Sequence, residues 1–324
     1  MTALSAEARL SGIDACRVVA FVFIVALHAK SPFLPPRYGL PLEILPRFAV
    51  PFFFLVSGYF LKVDTLKFSA FVGKFVQRLL AIYIVWMLVY LVAWRLFHVD
   101  FGFATIVGLV VGGGPGYHLW FLPSLGVSVI TVFVIARFLG DRALVAICLL
   151  LYGIGLYYVA LSAPLGPAVH WNFRNGPFFG ALFVALGFLL RKHGWQPEMR
   201  GALTLTALGL LLSGVERAAL VLADLATPSQ AIDYTLGTVP FGVGVFAIAL
   251  NLSPRGRMVG NLAALGRYTL GLYCIHVLHL WWVQWLLPAT TLGNVLIATA
   301  VTVVASVATI LLLSRVTALR RFIR

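Results

Sequence analysis

Long apolar runs follow one another along this chain with short polar breaks between them, and the runs do not alternate in the period of two that a half-buried or transmembrane strand requires. Each run is close to the roughly 20 residues that a helix needs to cross a hydrocarbon core. A bilayer offers no water to open backbone, so continuous helices are the structure such runs dictate. The breaks predict ten spans, at 13–33, 44–61, 75–97, 118–138, 142–161, 175–190, 200–222, 235–251, 266–286 and 291–313. The first run has no small-residue cleavage site behind it and continues into the polar stretch 30–37, so it reads as a retained helix. No repeat of fixed period, low-complexity tract or long linker divides the chain. The expected fold is all-α, one polytopic membrane domain over 1–324 with about ten helices and no soluble appendage.

Composition agrees: of 324 residues, 61% are hydrophobic and only 10% charged, far from the balance of a soluble domain. The formal charge of +14 changes the picture only through its location. If the N-terminus is cytoplasmic, Lys30, Arg37, Arg47, Arg95, Arg174 and Arg217 fall outside, and the other eighteen of the 24 basic residues fall inside. That bias predicts cytoplasmic termini and contact with anionic lipid headgroups. No basic and aromatic module supports nucleic-acid binding. Cys16, Cys148 and Cys274 sit in or beside apolar runs and make no CxxC pair, so neither a disulfide framework nor a metal site is expected.

Candidate chemistry begins in the first span, where RVVAFVFIVALH at 17–28 sets Arg17 and His28 at the ends of ten apolar residues. Eleven residues is almost a whole number of helical turns, so the two share a face, roughly 16 Å apart along the axis. Asp14 lies one turn before Arg17 on the same side and is placed to pair with it. Ionisable groups at membrane depth line cavities, pair with one another or meet substrate. An arginine at the mouth of such a stripe suits a phosphate, and a histidine deeper in suits proton transfer.

Those residues also carry a likeness. DACR at 14–17 with His28 resembles the first-helix signature of the acyltransferase family 3 integral membrane enzymes: an aspartate, then a basic residue, ten residues and a histidine. RFAVPFFFLVSGYFL at 47–61, KFVQRLLAIY at 74–83, YHLWFLPSLGV at 117–127 and LGRYTLGLYCIH at 265–276 resemble further family segments in the same order. The resemblance implies about ten helices that move an acyl group, commonly acetyl from acetyl-CoA, onto a hydroxyl of an envelope glycan. Some members carry an added extracytoplasmic domain for which this chain has no room, so direct transfer within the membrane domain is expected.

With that reading, Arg17, Lys74, Arg78 and Arg267, near the inner ends of their spans, are the residues expected at the phosphates of CoA. Arg47, His118, Trp120, Arg174 and His276 fall at the level of His28 or above it and are expected on the acceptor side. His28 acts either as general base or as transient acyl carrier, with Glu216, the better placed by depth, or Asp14 to orient it. His98, His279, Trp281, Trp282 and Trp285 read as interfacial, and Ser57 as a small packing residue. The expected protein is a multi-pass O-acyltransferase of the bacterial cytoplasmic membrane that takes acyl-CoA and an extracytoplasmic or lipid-linked saccharide. The alternative is a transporter or flippase for an anionic glycolipid or small molecule, for which matched inverted repeats would be a sign; none is seen.

Overall fold

A computed structural model of the chain describes residues 6–31, 33–63, 68–97, 114–161, 172–225, 235–252 and 257–323. His98, Lys67, Arg255 and Arg324 lie outside the described residues. Helix α1 is Ala6–Ala29, α2 is Pro36–Ile44 and, after a 3-10 turn at Leu45–Phe48, α3 is Ala49–Tyr59. Helix α4 spans Phe68–Phe97, and a 3-10 segment at Gly114–Trp120 leads into α5, Phe121–Phe138. There follow α6 at Gly140–Leu156, α7 at Pro177–Lys192, α8 at Met199–Leu222 and α9 at Thr238–Asn251. The chain ends in α10 at Arg257–Gly266, α11 at Thr269–Leu286, α12 at Leu292–Leu313 and a last turn, α13, at Arg320–Ile323.

The described residues contain no strand, and the all-α polytopic class expected from the apolar pattern is the class observed. All ten expected spans fall on helices, and among the described residues seven stretches are long and apolar enough to cross a membrane by length and composition: 11–29, 36–59, 71–96, 115–138, 140–159, 199–222 and 292–313. The other three fall short for physical reasons. Helices α7 and α9 have only 16 and 14 residues, and α11 is diluted by His276, His279 and Gln284. These three are largely enclosed by other helices, with nine, eight and nine buried residues, so protein rather than lipid surrounds much of their surface. The peripheral helix α8 shows the opposite: 17% of its span is buried, against 61% for α1.

Close backbone contact builds the centre of the bundle. A β-carbon on Gly58 of α3 would stand 1.9 Å from the Val184 carbonyl oxygen, and one on Gly187 of α7 would stand 2.0 Å from that of Leu55. The two glycines let α3 and α7 touch along their backbones. At the end of α10, a β-carbon on Gly266 would meet the Asp14 carbonyl oxygen at 2.4 Å, which brings the α10–α11 corner, with Arg267, against the start of the polar stripe on α1. At the other end of that stripe, the Gln284 side-chain amide of α11 donates to the carbonyls of His28 and Ala29, both at 3.3 Å, closing the last turn of α1.

Gly187→Val is expected to destabilise the fold by about 1–3 kcal/mol or more, since backbone has to move to admit the side chain. Gly214→Ala is the control, because a β-carbon there meets nothing within 4 Å. It is expected to be neutral or to gain up to about 1 kcal/mol from helix propensity. Thermal denaturation in detergent compares the two; equal melting would refute the role assigned to close α3–α7 contact.

Candidate functional site

Helix α1 carries one polar stripe with an apolar interval. The Arg17 guanidinium donates to Asp14 at 2.5 Å, one turn apart, as expected from their spacing. Ile24, 3% exposed, follows two turns later on the same face, and His28 one turn after that.

His28 sits among rings. It stacks on His276 of α11 with centroids 5.5 Å apart and meets Tyr117 and His118 of the 3-10 segment at 5.2 and 6.4 Å. His118 and His276 are themselves 4.9 Å apart and fully buried. Their tautomers follow from their partners, because a carbonyl accepts and never donates. His276 faces the Tyr273 carbonyl through Nδ1 at 2.6 Å, so Nδ1 carries its proton and Nε2 the lone pair. His118 faces the Cys274 carbonyl through Nε2 at 3.3 Å, so in its neutral form Nδ1 carries the lone pair. The Tyr90 hydroxyl donates to the same carbonyl at 2.8 Å, and the Tyr273 hydroxyl donates to the carbonyl of His118. Neither His276 Nε2 nor His118 Nδ1 has a hydrogen-bond partner among the described residues. Two buried imidazoles, each anchored on a backbone carbonyl, therefore pack beside His28.

Two cavities flank this stripe. The larger, about 370 Å³, is lined by Arg17, Arg78 and Arg267 together with apolar side chains that include Phe53, Phe121 and Leu125. The smaller, about 60 Å³, is lined by His28, Arg47, Trp120 and Arg174 with Pro46, Pro51 and Phe179. Ile24, Val50 and Tyr273 line both. Arg174 is set on the smaller cavity by Ser124 of α5, whose hydroxyl meets the Arg174 and Gly176 carbonyls at 2.9 Å each, and its guanidinium lies 5.2 Å from the centre of the Trp120 ring.

Most residues singled out from the sequence thus gather in two groups. Lys74 does not line the cationic cavity; it is exposed, one turn before Arg78 on α4. His118 and His276 stand behind His28 rather than on a cavity wall. Glu216 is placed otherwise than its depth suggested. Its two carboxylate oxygens accept the backbone N–H groups of Leu236 and Gly237, at 2.8 and 2.9 Å, at the entry to α9, where a helix N-terminus favours negative charge. Asp14, paired with Arg17, is fourteen residues before His28, roughly 21 Å along the axis. The role of orienting His28, given to these two acids from the sequence, is corrected by those positions.

The acid that does stand near the smaller cavity is Glu43, buried at the end of α2 and not singled out from the sequence. Its carboxylate receives Lys30 and Arg47, and Arg47 also donates through Nε to the Glu43 carbonyl at 3.0 Å. The signal was present in the chain, since Glu43 and Arg47 are four residues apart on one helical surface. Tyr273 and Ile24 gave no signal, because a tyrosine and an isoleucine in an apolar run look like ordinary core.

The chain matches the family model of the acyltransferase domain, acyltransferase family 3, over residues 10–313. It is also 33% identical over 229 residues to a serine/alanine racemase of Enterococcus gallinarum, which covers 62% of this chain and 31% of that protein. An amino-acid racemase of Enterococcus faecalis is 31% identical over 194 residues, 55% of this chain and 27% of its own length. The chain thus spans less than a third of the curated relatives it matches, and the racemase names describe those longer proteins. No solved structure matches the chain.

Glu43→Ala leaves Lys30 and Arg47 without their shared carboxylate and is expected to lower folding stability by about 3–5 kcal/mol. Glu216→Gln keeps an oxygen for one of the two N–H groups, and a loss of only about 1 kcal/mol is expected. Denaturant titration in detergent ranks the two; a Glu43→Ala protein as stable as wild type would contradict the buried-pair assignment.

Proposed function

The chain belongs to acyltransferase family 3, and from that premise we propose that it moves an acyl group, acetyl in the first instance, from acyl-CoA at the cytoplasmic face to a hydroxyl of an extracytoplasmic or lipid-linked saccharide. The observation that carries this reading is the stripe on α1, with a cation on the larger cavity, a histidine on the smaller one and about three apolar turns between them. Arg17, Arg78 and Arg267 are suited to the phosphates of CoA, since guanidinium groups bind phosphate through paired, charge-assisted hydrogen bonds. The pantetheine arm, long and thin, reaches from that cavity toward Ile24 and presents its thioester to His28.

His28 in its neutral form takes the proton of the acceptor hydroxyl as the oxygen attacks the thioester carbonyl carbon. The new carbon–oxygen bond forms, the carbon–sulfur bond breaks, and the proton passes from the imidazolium to the departing CoA thiolate. The products are the O-acylated saccharide and CoA. His118 and His276 hold the ring of His28 by packing. Arg47 and Arg174 face the acceptor and suit a saccharide that carries phosphate or carboxylate. The eighteen-to-six distribution of basic residues supports cytoplasmic termini in a bacterial inner membrane, with the cationic cavity toward the cytoplasm. No observation favours the transport reading: the three side chains shared by the cavities narrow the path where a transported glycolipid would have to pass.

His28→Ala is expected to abolish transfer while leaving affinity for unacylated CoA intact. Arg17→Ala is expected to raise the KM for acetyl-CoA by about tenfold to a hundredfold, the equivalent of one or two charged hydrogen bonds. Label transfer from radiolabelled acetyl-CoA in inverted vesicles that contain native lipid-linked glycans measures both. Undiminished transfer by His28→Ala would end this assignment.

A further inference from the structure

Where the two cavities adjoin they share one side chain each from α1, α3 and α11: Ile24, Val50 and Tyr273. Ile24 is buried between Arg17 and His28 on a helix closed by Gln284. The Tyr273 hydroxyl is tied to the His118 carbonyl, and Val50 stands beside Pro51 at the base of the tightly packed α3. Beyond them the smaller cavity is walled by Pro46, Pro51 and Phe179, which are stiff side chains. Building on the reading of the chain as an acyl-CoA-dependent transferase, we infer that Ile24, Val50 and Tyr273 gauge the length of the acyl group, admitting acetyl and disfavouring longer chains increasingly with each added carbon.

The argument is one of room. In a thioester the acyl chain lies on the far side of the carbonyl from CoA, so when the carbonyl reaches His28 the chain has entered the smaller cavity. The space there is about 60 Å³, against about 370 Å³ on the cationic side. A water-sized group takes roughly 10–15 Å³ of such space, so about four or five fit. The carbonyl carbon, its oxygen and the methyl of an acetyl group, with the acceptor oxygen and the carbon that bears it, make five. An octanoyl chain adds six more carbons, each of which has to displace packed side chains. A poorly accommodated methylene lowers kcat/KM by about tenfold or more, so discrimination accumulates within the first few carbons.

The test measures kcat/KM for acetyl-, butyryl- and octanoyl-CoA in native-membrane vesicles, by release of CoA thiol and by label in the extracted glycolipid. Wild type, Val50→Ala and Ile24→Ala are compared through the acetyl-to-octanoyl ratio, which is independent of how much protein is folded. A wild-type ratio of about a hundredfold or more is expected, falling at least about tenfold in Val50→Ala. Ile24→Ala should act the same way, while Val50→Phe should lower acetyl transfer itself and keep affinity for unacylated CoA. Equal use of octanoyl- and acetyl-CoA by wild type overturns the inference, as does a ratio unmoved by both alanine variants. Absence of transfer from every acyl-CoA by wild type, with CoA affinity also absent, overturns instead the transferase reading on which the gauge rests.

Discussion

A guanidinium and an imidazole on one face of a helix sunk among apolar neighbours need partners, because neither lipid nor hydrocarbon side chains offer any. Much of the bundle's interior follows from meeting that need on α1. At the Arg17 end, Asp14 supplies the nearest counter-charge, and the bare backbone at Gly266 lets the α10–α11 corner come close enough to complete a polar mouth. At the His28 end, Tyr117 and two more histidines pack on the imidazole, with Tyr90 and Tyr273 behind those histidines and hydroxyls and ring nitrogens anchored on backbone carbonyls. The apolar residues between the ends, Ile24 among them, narrow the space between the two environments.

Helices α1 and α11 share this design. On α1 the residues concerned are Arg17, Ile24 and His28; on the other side Arg267 comes from the turn just before α11, and Tyr273 and His276 from α11 itself. The cationic cavity and the histidine cluster are thereby held in register largely by two helices. Such pre-organisation matters for acyl transfer, where misplacement of the reacting atoms by about 1 Å costs on the order of a hundredfold in rate.

What could be read from the sequence is what a single helix determines. Arg17 and His28 face the same way because eleven residues close on a whole number of turns, and no tertiary knowledge is needed for that. Membership of the apolar runs in helices is legible for the same reason. Depth is legible too, but depth alone misplaced Glu216: it lies at a suitable level on α8, yet points to the start of α9, because azimuth around a peripheral helix depends on which neighbours it packs against. Helices α7, α9 and α11, which coincide with three of the ten expected spans, fall below the length or apolarity of a lipid-facing span because protein encloses much of their surface. The cavities escaped the sequence altogether, as they arise from three helices meeting at Ile24, Val50 and Tyr273.

The buried charges on the His28 side follow a different logic from those at Arg17. Asp14 and Arg17 form a pair one turn apart on one helix, whereas Glu43 sits between Lys30 and Arg47 and so holds the end of α1 against the α2–α3 entry. One carboxylate shared by two cations leaves positive potential beside the smaller cavity, to which Arg174 adds from the segment before α7. That potential favours an anionic group in the smaller cavity, whereas the single pair at Arg17 balances charge within one helix.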